Sequence, residues 1–275
     1  MSGRPTEVLF RAERYLERHG VGAPRATAEV LLADLLGTDR AGLYTRADAL
    51  TPAQAREFGR ALCRRCEGVP LQHLTGEQAF RTIVLAVRPG VFIPRPETEV
   101  VVEAALDAIA DVTEPVVVDV GTGTGAIALA VAAERPDARV LAIDASSAAV
   151  DLARANAVAL GLPVEVLEGD LLAPLPAALL GRVDLVVSNP PYVRAEEMAA
   201  LPRDVLADPR TALVGDLALT ERLARGAREA LRPGGTLVLE IGETQAEEVR
   251  SVLTGFDAIR VVQDLTGRDR VVVAS

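Results

Sequence analysis

The spacing of apolar residues in the first 74 positions predicts a run of short helices. Apolar side chains recur there every three or four positions, which places them on one face of a helix. The first helix is expected to end near Gly20, and the second to cover residues 26–36. Thr51 is expected to cap a third helix over residues 52–66, because a proline follows it at the first helical position. Residues 1–74 are therefore predicted to form a small all-helical domain.

The pattern changes to alternation in residues 75–95, which are predicted to form a β-hairpin linker. Apolar side chains occupy every second position over residues 83–87, as in a strand with one buried face. A turn is expected at residues 88–90, where proline and glycine lie, with residues 91–93 as the return strand. Two prolines in residues 94–96 fix the backbone and make a stiff joint. The border between two domains is therefore placed at this hairpin.

From residue 96 onward, helical stretches alternate with short runs of valine, leucine and isoleucine. This alternation is typical of a parallel sheet that is covered by helices on both faces. The sequence therefore predicts an α/β fold, in which residues 96–275 form a seven-stranded, doubly wound, Rossmann-like sheet that binds ligands at the carboxyl ends of its strands. The strand over residues 183–188 is expected to lie beside the strand over residues 115–120. The other strands are predicted at residues 139–144, 164–167, 236–241, 258–262 and 270–273, and helices at residues 126–134 and 147–160.

Charge also divides the chain in two. The net charge is −10, but residues 1–95 hold 14 arginines and 10 acidic residues, whereas residues 96–275 hold 15 arginines and 29 acidic residues. Binding along a phosphate backbone requires clustered cations, so we expect no direct sequence-specific binding of nucleic acid by the acidic part. The chain has no lysine, which excludes Schiff-base chemistry and a P-loop lysine.

Composition indicates a folded protein of the cytoplasm. Hydrophobic residues make up 49% of the chain and charged residues 25%, and no apolar run reaches the roughly 18 residues of a membrane span. The start of the chain lacks the apolar core of a secretory signal. The two cysteines, Cys63 and Cys66, have the spacing of half a zinc site, but no second pair exists. We expect a cytoplasmic monomer that binds neither a membrane nor a metal ion.

A glycine-rich loop follows the first strand of the predicted sheet. Its residues are Gly121, Thr122, Gly123, Thr124 and Gly125, and they lead directly into a predicted helix. Three glycines remove the Cβ atoms that would keep a ligand away from the backbone, and they admit backbone angles that other residues avoid. A strand-to-helix turn without a ligand would explain one glycine but hardly three. We therefore predict that this loop binds a nucleotide-type cofactor.

Two acidic residues bear on which cofactor the loop binds. The glycine spacing, with Ala126, also fits the fingerprint of a dinucleotide site. Asp144 ends the second strand, where its carboxylate can accept hydrogen bonds from the ribose hydroxyls of either cofactor. Asp119 favours S-adenosylmethionine, because a carboxylate at the mouth of the site attracts an ammonium and a sulfonium group and repels a pyrophosphate.

Asp170 and Leu171 follow the third strand and are candidates for the adenine end of the cofactor. Asp170 is placed to meet the adenine amino group, with Leu171 against the ring. The alternative for Asp170 is a helix N-cap, which its residue type fits equally well.

The tetrapeptide Asn189-Pro190-Pro191-Tyr192 follows the predicted strand over residues 183–188. It is expected to meet the glycine loop, since the two strands are neighbours. A planar NH2 group is a poor nucleophile, and two acceptors aimed at its hydrogens both orient it and restore electron density on its nitrogen. The Asn189 side-chain oxygen and the Pro190 carbonyl can be those acceptors, and the Tyr192 ring offers a flat group a face to lie on. We therefore predict a site for methyl transfer to a planar NH2 group, against the alternative of an ordinary proline turn.

The glycine loop, Asp144 and the Asn189 tetrapeptide together resemble the class I S-adenosylmethionine-dependent methyltransferases that modify planar NH2 groups. Three further motifs resemble, more narrowly, the release-factor glutamine methyltransferases, and the similarity spans nearly the whole chain. These motifs are Pro-Leu-Gln-His-Leu-Thr-Gly at residues 70–76, Ile-Pro-Arg-Pro-Glu-Thr-Glu at residues 93–99 and Leu-Glu-Ile-Gly at residues 239–242.

That resemblance implies an activity and a partner. Members of the family methylate the side-chain amide nitrogen (N5) of the glutamine in the Gly-Gly-Gln motif of peptide chain release factors, and S-adenosylmethionine becomes S-adenosylhomocysteine. They use an N-terminal helical domain to hold the partner, a role that falls here to residues 1–74. The resemblance implies that the glycine loop, Asp144, Leu171 and Asn189 contact the cofactor. The catalytic residues would be Asn189, Pro190 and Tyr192, and Asn189, Pro190, Pro191 and Tyr192 would hold the glutamine.

Two other functions remain open at this stage. A DNA or RNA adenine N6-methyltransferase could use the same tetrapeptide on a flipped base, although the acidic charge of residues 96–275 counts against it. A scaffold that binds the cofactor without catalysis would not need the Asn189 amide. Arg95, Glu97 and Glu240 receive no role: the first two either pair with each other or border the peptide groove.

Overall fold

The computed structural model describes residues 3–275, which form two compact units. The first unit contains the residues up to 76 together with residues 202–207, and the second contains residues 77–201 and 208–275. Residues 202–207 carry no helical periodicity, and their place in the first unit was not foreseen from the sequence.

Short helices make up the first unit within the described residues. They are α1 (Pro5–Arg18), α2 (Pro24–Leu36), α3 (Arg40–Thr45), α4 (Pro52–Cys66) and α5 (Leu71–Thr75). The predicted cap of α4 is confirmed: the Thr51 hydroxyl accepts from the Gln54 backbone N–H at 3.2 Å, and the Gln54 side chain accepts from the Thr51 N–H at 2.9 Å. Helices α3 and α5 were not predicted, because one turn or two is too short to show a period.

A two-stranded hairpin opens the second unit, but its turn was predicted at the wrong place. Strands β1 (Glu77–Phe80) and β2 (Ile83–Ala86) pair antiparallel around Arg81 and Thr82, and residues 88–93 form no strand. Arg81 takes a φ of 48°, in a region that favours glycine. Its backbone N–H donates to Glu99 Oε1 at 3.1 Å, and its guanidinium donates to both Glu134 oxygens at 2.5 and 2.8 Å. Contacts distant in sequence therefore hold a turn that contains neither glycine nor proline.

The main sheet has seven strands, as predicted. They are β3 (Val116–Val120), β4 (Arg139–Asp144), β5 (Val164–Glu168), β6 (Val183–Ser188), β7 (Leu231–Glu240), β8 (Ile259–Gln263) and β9 (Asp269–Ala274). Their order is β5-β4-β3-β6-β7-β9-β8. The expectation of a wholly parallel sheet is wrong at one edge, because β9 runs antiparallel to both β7 and β8. The connection from β8 to β9 is too short for the crossover that parallel strands require.

Helices cover both faces of this sheet. They are α6 (Thr98–Ala108), α7 (Ala126–Glu134), α8 (Ser147–Leu160), α9 (Arg210–Leu213), α10 (Leu217–Ala230) and α11 (Ala246–Val252). Successive strand residues point to opposite faces, so Val117 packs in the core beneath α6 and α7, and Val118 in the core beneath α10 and α11. Among residues 3–275, no helix combines the length and the apolar character that a membrane crossing needs.

Candidate active site

The strand register brings the predicted site residues to one edge of the sheet. Val120, the last residue of β3, pairs with Ile143 of β4 and with Ser188 of β6. Gly121, Asp144 and Asn189 are therefore the next residues on three adjacent strands, and neighbouring strands lie about 4.8 Å apart. The Ser188 hydroxyl donates to the Val120 carbonyl at 2.6 Å and ties two of these strand ends together. The predicted neighbourhood of β3 and β6 is confirmed.

The three glycines of the loop adopt a conformation that favours glycine. Their φ angles are 74° at Gly121, 58° at Gly123 and 86° at Gly125. A Cβ on Gly125 would come within 2.8 Å of a Leu129 methyl group, whereas a Cβ on Gly121 or Gly123 would meet nothing within 4 Å. Gly125 thus lets the Leu129 side chain pack closely against the loop, and the first two glycines leave open space beside the backbone.

Asp144 shapes the glycine loop from the next strand. Its Oδ2 accepts from the Gly123 N–H at 2.9 Å, and its Oδ1 accepts from the Ser146 N–H at 2.8 Å. A carboxylate has about four acceptor sites, so two remain for a ligand. The predicted role of Asp144 in cofactor binding stays a prediction, and the structure adds that the same carboxylate fixes the loop.

Asp119 lies beneath the loop and not at its mouth, so the expectation of a carboxylate facing the cofactor is wrong for this residue. It is fully buried, and its Oδ2 accepts from the Thr122 hydroxyl at 2.6 Å and from the Ala128 N–H at 3.1 Å. Burial, opposed in part by these two hydrogen bonds, raises its pKa to about 7. The Thr122 hydroxyl is engaged in this contact, and Thr124 is also buried, so these threonines can offer a ligand their backbone.

Asp170 and Leu171 lie in a turn after β5. No helix begins there, so the helix N-cap alternative for Asp170 is wrong. The Asp170 carboxylate is exposed and pairs with Arg222. Leu171 has a φ of 50°, a strained angle for a residue with a Cβ, of the kind that clusters at functional sites. Their contact with adenine stays a prediction.

The Asn189–Tyr192 loop is held by side chains from distant segments. Asn189 is half-buried, and its Nδ2 donates to the Thr98 hydroxyl oxygen at 3.1 Å. The Tyr192 hydroxyl donates to Glu240 Oε1 at 3.3 Å, and the Tyr192 carbonyl accepts from Gln245 Nε2 at 2.8 Å. Both ends of the tetrapeptide are therefore fixed, and none of these three contacts was foreseen from the sequence.

Gly215 fits tightly against the middle of the same loop. A Cβ at this position would lie 1.7 Å from the Pro191 carbonyl oxygen, a distance no structure tolerates. Backbone bonds hold the contact: Val193 N–H donates to the Leu213 carbonyl at 2.9 Å, and Gly215 N–H to the Val193 carbonyl at 3.2 Å. A lone glycine in a loop gives no sequence signal of such a contact.

Glu240 is a buried acid directly beside the tetrapeptide. Ser188 pairs with Leu239 in the register of β6 and β7, so Glu240 follows alongside Asn189, and its side chain is 2% exposed. Burial raises its pKa to about 7, although the Thr98 hydroxyl, Arg270 and Tyr192 lower it in part. Burial, with the charge of Glu240, also raises the pKa of Tyr192. Such perturbed groups cluster at functional sites.

Arg95 pairs with neither Glu97 nor a solvent-exposed group. Its guanidinium pairs with Asp208, a buried carboxylate that also accepts from the Ile93 N–H at 3.1 Å. It lies over the Phe92 ring, with 5.3 Å between the guanidinium carbon and the ring centre. The pair therefore joins the segment before α6 to the segment after residue 207.

A sheet of this order, with a glycine loop and an Asn-Pro-Pro-Tyr loop at adjacent strand ends, defines a methyltransferase domain. Residues 83–267 match the family model described as "Methyltransferase small domain". The hMettl16 catalytic domain, solved with a hairpin of the MAT2A 3′UTR, is 15% identical with a TM-score of 0.56 over 83% of this chain and 84% of that one. The T. thermophilus 16S rRNA N2 G1207 methyltransferase, solved with AdoMet and guanosine, is 21% identical with a TM-score of 0.53 over 72% of this chain and 49% of that one. At such identities these likenesses show the fold alone.

The helical unit and full-length relatives narrow the class. Residues 7–76 match the model described as "PrmC N-terminal domain". The release factor glutamine methyltransferase of Moorella thermoacetica is 43% identical over 98% of this chain and 97% of its own length. That of Streptomyces coelicolor is 42% identical over 97% and 96%, and that of Xylella fastidiosa strain Temecula1 is 46% identical over 90% and 92%. The chain belongs to the release factor glutamine methyltransferase family, and the resemblance drawn from its motifs is confirmed.

Proposed function

We propose that this protein transfers the methyl group of S-adenosylmethionine to the side-chain amide nitrogen of the glutamine in the Gly-Gly-Gln motif of peptide chain release factors. The observation that carries the proposal is the position of Asn189, one residue beyond the strand pair of Val120 and Ser188 and therefore next to Gly121. An amide that can bind the acceptor thus lies at the strand end beside the cofactor loop. No contact in the described residues favours the nucleic-acid alternative.

The edge of the sheet fits S-adenosylmethionine in its donor set and in its space. Gly121 and Gly123 leave the backbone open, and the Asp144 carboxylate keeps acceptor sites for ribose hydroxyls. The residues proposed to hold the cofactor are the glycine loop, Asp144, Asp170, Leu171 and Asn189. When bound, the cofactor would supply an electrophilic methyl group on a sulfonium leaving group, so no general base is needed to begin the reaction. The methylated nitrogen then loses one proton to water, which gives the neutral N-methyl amide and the neutral thioether.

The Asn189–Tyr192 loop is proposed to hold the acceptor glutamine. The Asn189 Nδ2 is engaged by Thr98, and no residue among 3–275 uses its Oδ1, which can therefore accept from the glutamine NH2. The Pro190 carbonyl can accept from the second hydrogen. Two such bonds fix the plane of the amide and leave its nitrogen directed toward the methyl donor. Orientation of this kind can supply about 7 to 11 kcal/mol of the barrier.

Substitution of Asn189 tests this assignment. We expect Asn189→Ala to lower kcat on a release factor by about 10²- to 10³-fold, as is usual for loss of one preorganised polar group. Transfer is measured with isotope-labelled cofactor, and calorimetry is expected to show cofactor affinity within a few-fold of the parent. Unchanged turnover would exclude Asn189 from catalysis. Labelling of duplex DNA and not of a release factor would overturn the proposed substrate.

The helical unit is proposed to dock the release factor through one face of α4. Arg56, Arg60 and Arg64 are exposed at intervals of four residues on that face. No ion pair joins them to any residue among 3–275. Like charges four apart on a helix destabilise it by about 0.2 to 0.5 kcal/mol per pair, so an unpaired row of this kind suits an acidic partner surface.

A charge reversal on this face separates docking from chemistry. We expect Arg60→Glu to raise KM for a whole release factor about tenfold, a loss of about 1.4 kcal/mol, and to leave kcat unchanged. Methylation of a short Gly-Gly-Gln peptide should not change, because such a peptide lacks the acidic partner surface that is proposed to bind α4. Arg260→Glu, an exposed change on β8, is the matched control. Equal losses on protein and peptide would refute docking through α4.

A further inference from the structure

We propose that Thr98 and Glu240 are positioning residues that fix which face of the Asn189 amide is turned toward the substrate. The inference rests on the proposed function, because it concerns how the acceptor glutamine is held. It extends from two hydrogen bonds within the second unit, Asn189 with Thr98 and Tyr192 with Glu240, and from the buried Glu240 Oε2 atom, which makes no hydrogen bond with any residue among 3–275.

An asparagine side chain at this position has a second, unproductive orientation, in which its oxygen and its NH2 group exchange places. Its oxygen accepts hydrogen bonds and its NH2 group donates them, while the two have nearly the same size. With the oxygen toward the substrate, the glutamine NH2 finds an acceptor. With the NH2 group toward the substrate, two donors face each other and the acceptor nitrogen is repelled. The loop therefore requires a device that distinguishes the two orientations.

Thr98 is the first of two residues that determine this orientation. Its side chain is 3% exposed at the first position of α6, and its oxygen lies 3.1 Å from Asn189 Nδ2. A hydroxyl carries a single proton and can either donate or accept toward Asn189. Thr98 alone thus permits both orientations of the amide, and the choice depends on where its proton goes.

Glu240 is the second residue, and it determines the direction of the Thr98 hydroxyl proton. An ionised carboxylate only accepts hydrogen bonds, and the Tyr192 hydroxyl already occupies Oε1 at 3.3 Å. The other oxygen of Glu240, Oε2, is buried and makes no hydrogen bond with any residue among 3–275. Burial raises the pKa of Glu240, and the Thr98 hydroxyl is the first among the groups that lower it. Rotation of the Thr98 hydroxyl toward Glu240 gives this buried carboxylate the donor that it lacks, and it leaves the Thr98 lone pair for the Asn189 NH2 group. The Asn189 oxygen must then face the substrate.

The charge of Glu240 is set by groups from every side. Arg270 on β9 and the Tyr192 hydroxyl favour the carboxylate, together with Thr98, whereas burial and the nearby Glu97 raise the pKa of Glu240, which lies at about 7. Below that pH the carboxyl group gains a proton that it can donate to Thr98, and the direction of the hydrogen bonds is no longer fixed. The orientation of Asn189 should therefore weaken as the pH falls through about 7.

Nuclear magnetic resonance can observe the orientation without any cofactor. The chain contains only two asparagines, Asn156 and Asn189, so labelling with ¹⁵N-asparagine yields two side-chain NH2 signals. Asn156 is the internal control, because its NH2 group donates to the Ala86 and Thr124 carbonyls at 3.1 and 2.9 Å. We expect the Asn189 signal to shift with pH around 7 in the parent protein and not in Glu240→Gln. Asp119 also titrates near 7, so the difference between the two proteins is the decisive quantity.

Kinetics on a Gly-Gly-Gln peptide complete the test. We expect Thr98→Val and Glu240→Gln to lower kcat about 10- to 100-fold, the value of a hydrogen bond to a charged group, with KM for the cofactor unchanged. Thr98→Ser keeps the hydroxyl and should retain most of the parent kcat, which a loss of packing alone would not allow. The parent kcat should also fall below pH 7 more steeply than that of Glu240→Gln.

The outcomes separate this inference from the function on which it rests. If the parent protein methylates release factors while Thr98→Val and Glu240→Gln keep its kcat, the positioning role is refuted. An Asn189 signal that is insensitive to pH in the parent refutes it independently of activity. If the parent protein itself fails to methylate release factors, the proposed function fails first.

Discussion

The glycine loop and the Asn189–Tyr192 loop lie at neighbouring strand ends, yet they are held in different ways. The glycine loop is fixed by Asp119 two residues before it, by Asp144 and the Ile143 carbonyl on the next strand and by the Asn156 side chain on α8, through contacts that span at most 32 residues. The Asn189 loop depends on Thr98, which lies 91 residues earlier, and on Gly215, Glu240 and Gln245. The cofactor loop is thus largely a local structure, whereas the acceptor loop is an assembly of distant parts. It follows that distant substitutions should damage the second loop and spare the first.

The strongest test of this difference is Gly215→Ala. A Cβ 1.7 Å from the Pro191 carbonyl oxygen forces the loop to move by more than an ångström, and a misplacement of that size can cost about 10²-fold in rate. We expect kcat for methyl transfer to fall by at least that factor, while calorimetry shows the cofactor affinity of the parent.

Gly59→Ala is the matched control for Gly215→Ala. A Cβ on Gly59, in α4, meets nothing within 4 Å, and alanine is the better helix former by about 1 kcal/mol. Full activity is expected. If Gly215→Ala were as active as Gly59→Ala, or if it lost cofactor binding as well, the two loops would not be supported independently.

The converse of the Gly215→Ala test is Asp144→Ala, which should affect the glycine loop and the binding of the cofactor. Removal of a carboxylate that holds Gly123 and Ser146 is expected to weaken cofactor binding by about 10- to 100-fold, as for loss of hydrogen bonds to a charged group. At saturating cofactor, kcat should stay within a few-fold of the parent. Asp151→Ala, an exposed change on α8, serves as the control. Unchanged affinity would remove Asp144 from the cofactor site.

The same contrast explains which parts of the structure could be predicted from sequence. The cap of α4, the bounds of β4 and α8 and the neighbourhood of β3 and β6 all follow from local signals such as capping residues, apolar runs and turns. The turn at Arg81 was misplaced because Glu99 and Glu134 hold it. The antiparallel β9 escaped prediction because apolar runs carry no direction.

The site divides in the same manner. The glycine loop, Asp144 and the Asn189 tetrapeptide could be found from sequence, because each forms a contiguous or regularly spaced motif. Thr98 and Glu240 lie within motifs that the sequence did display, at residues 93–99 and 239–242, but nothing in the motifs says that the two meet beside Asn189. Gly215 has no motif at all. Side chains that act through a distant partner leave no periodic or local pattern, so a structure is needed to find them.

The smallest expected effect concerns stability and has the opposite sign to the effect on activity. The pKa of Glu240 rises from an ordinary 4.5 to about 7 in the folded protein. Between these two pH values the folded state keeps a proton that the unfolded chain has released. Glu240 therefore makes the free energy of unfolding fall as the pH rises from about 4.5 to 7. Because glutamine does not titrate, Glu240→Gln removes this fall in the free energy of unfolding. Urea unfolding should find the variant more stable than the parent by about 1 to 3 kcal/mol at pH 8 and nearly equal to it at pH 4.5.

Glu247→Gln, on the exposed surface of α11, is the control and should change neither value. A variant that gains stability while it loses kcat is the expected behaviour of a residue kept for function, whereas a loss of stability at pH 8 would show that Glu240 serves the fold.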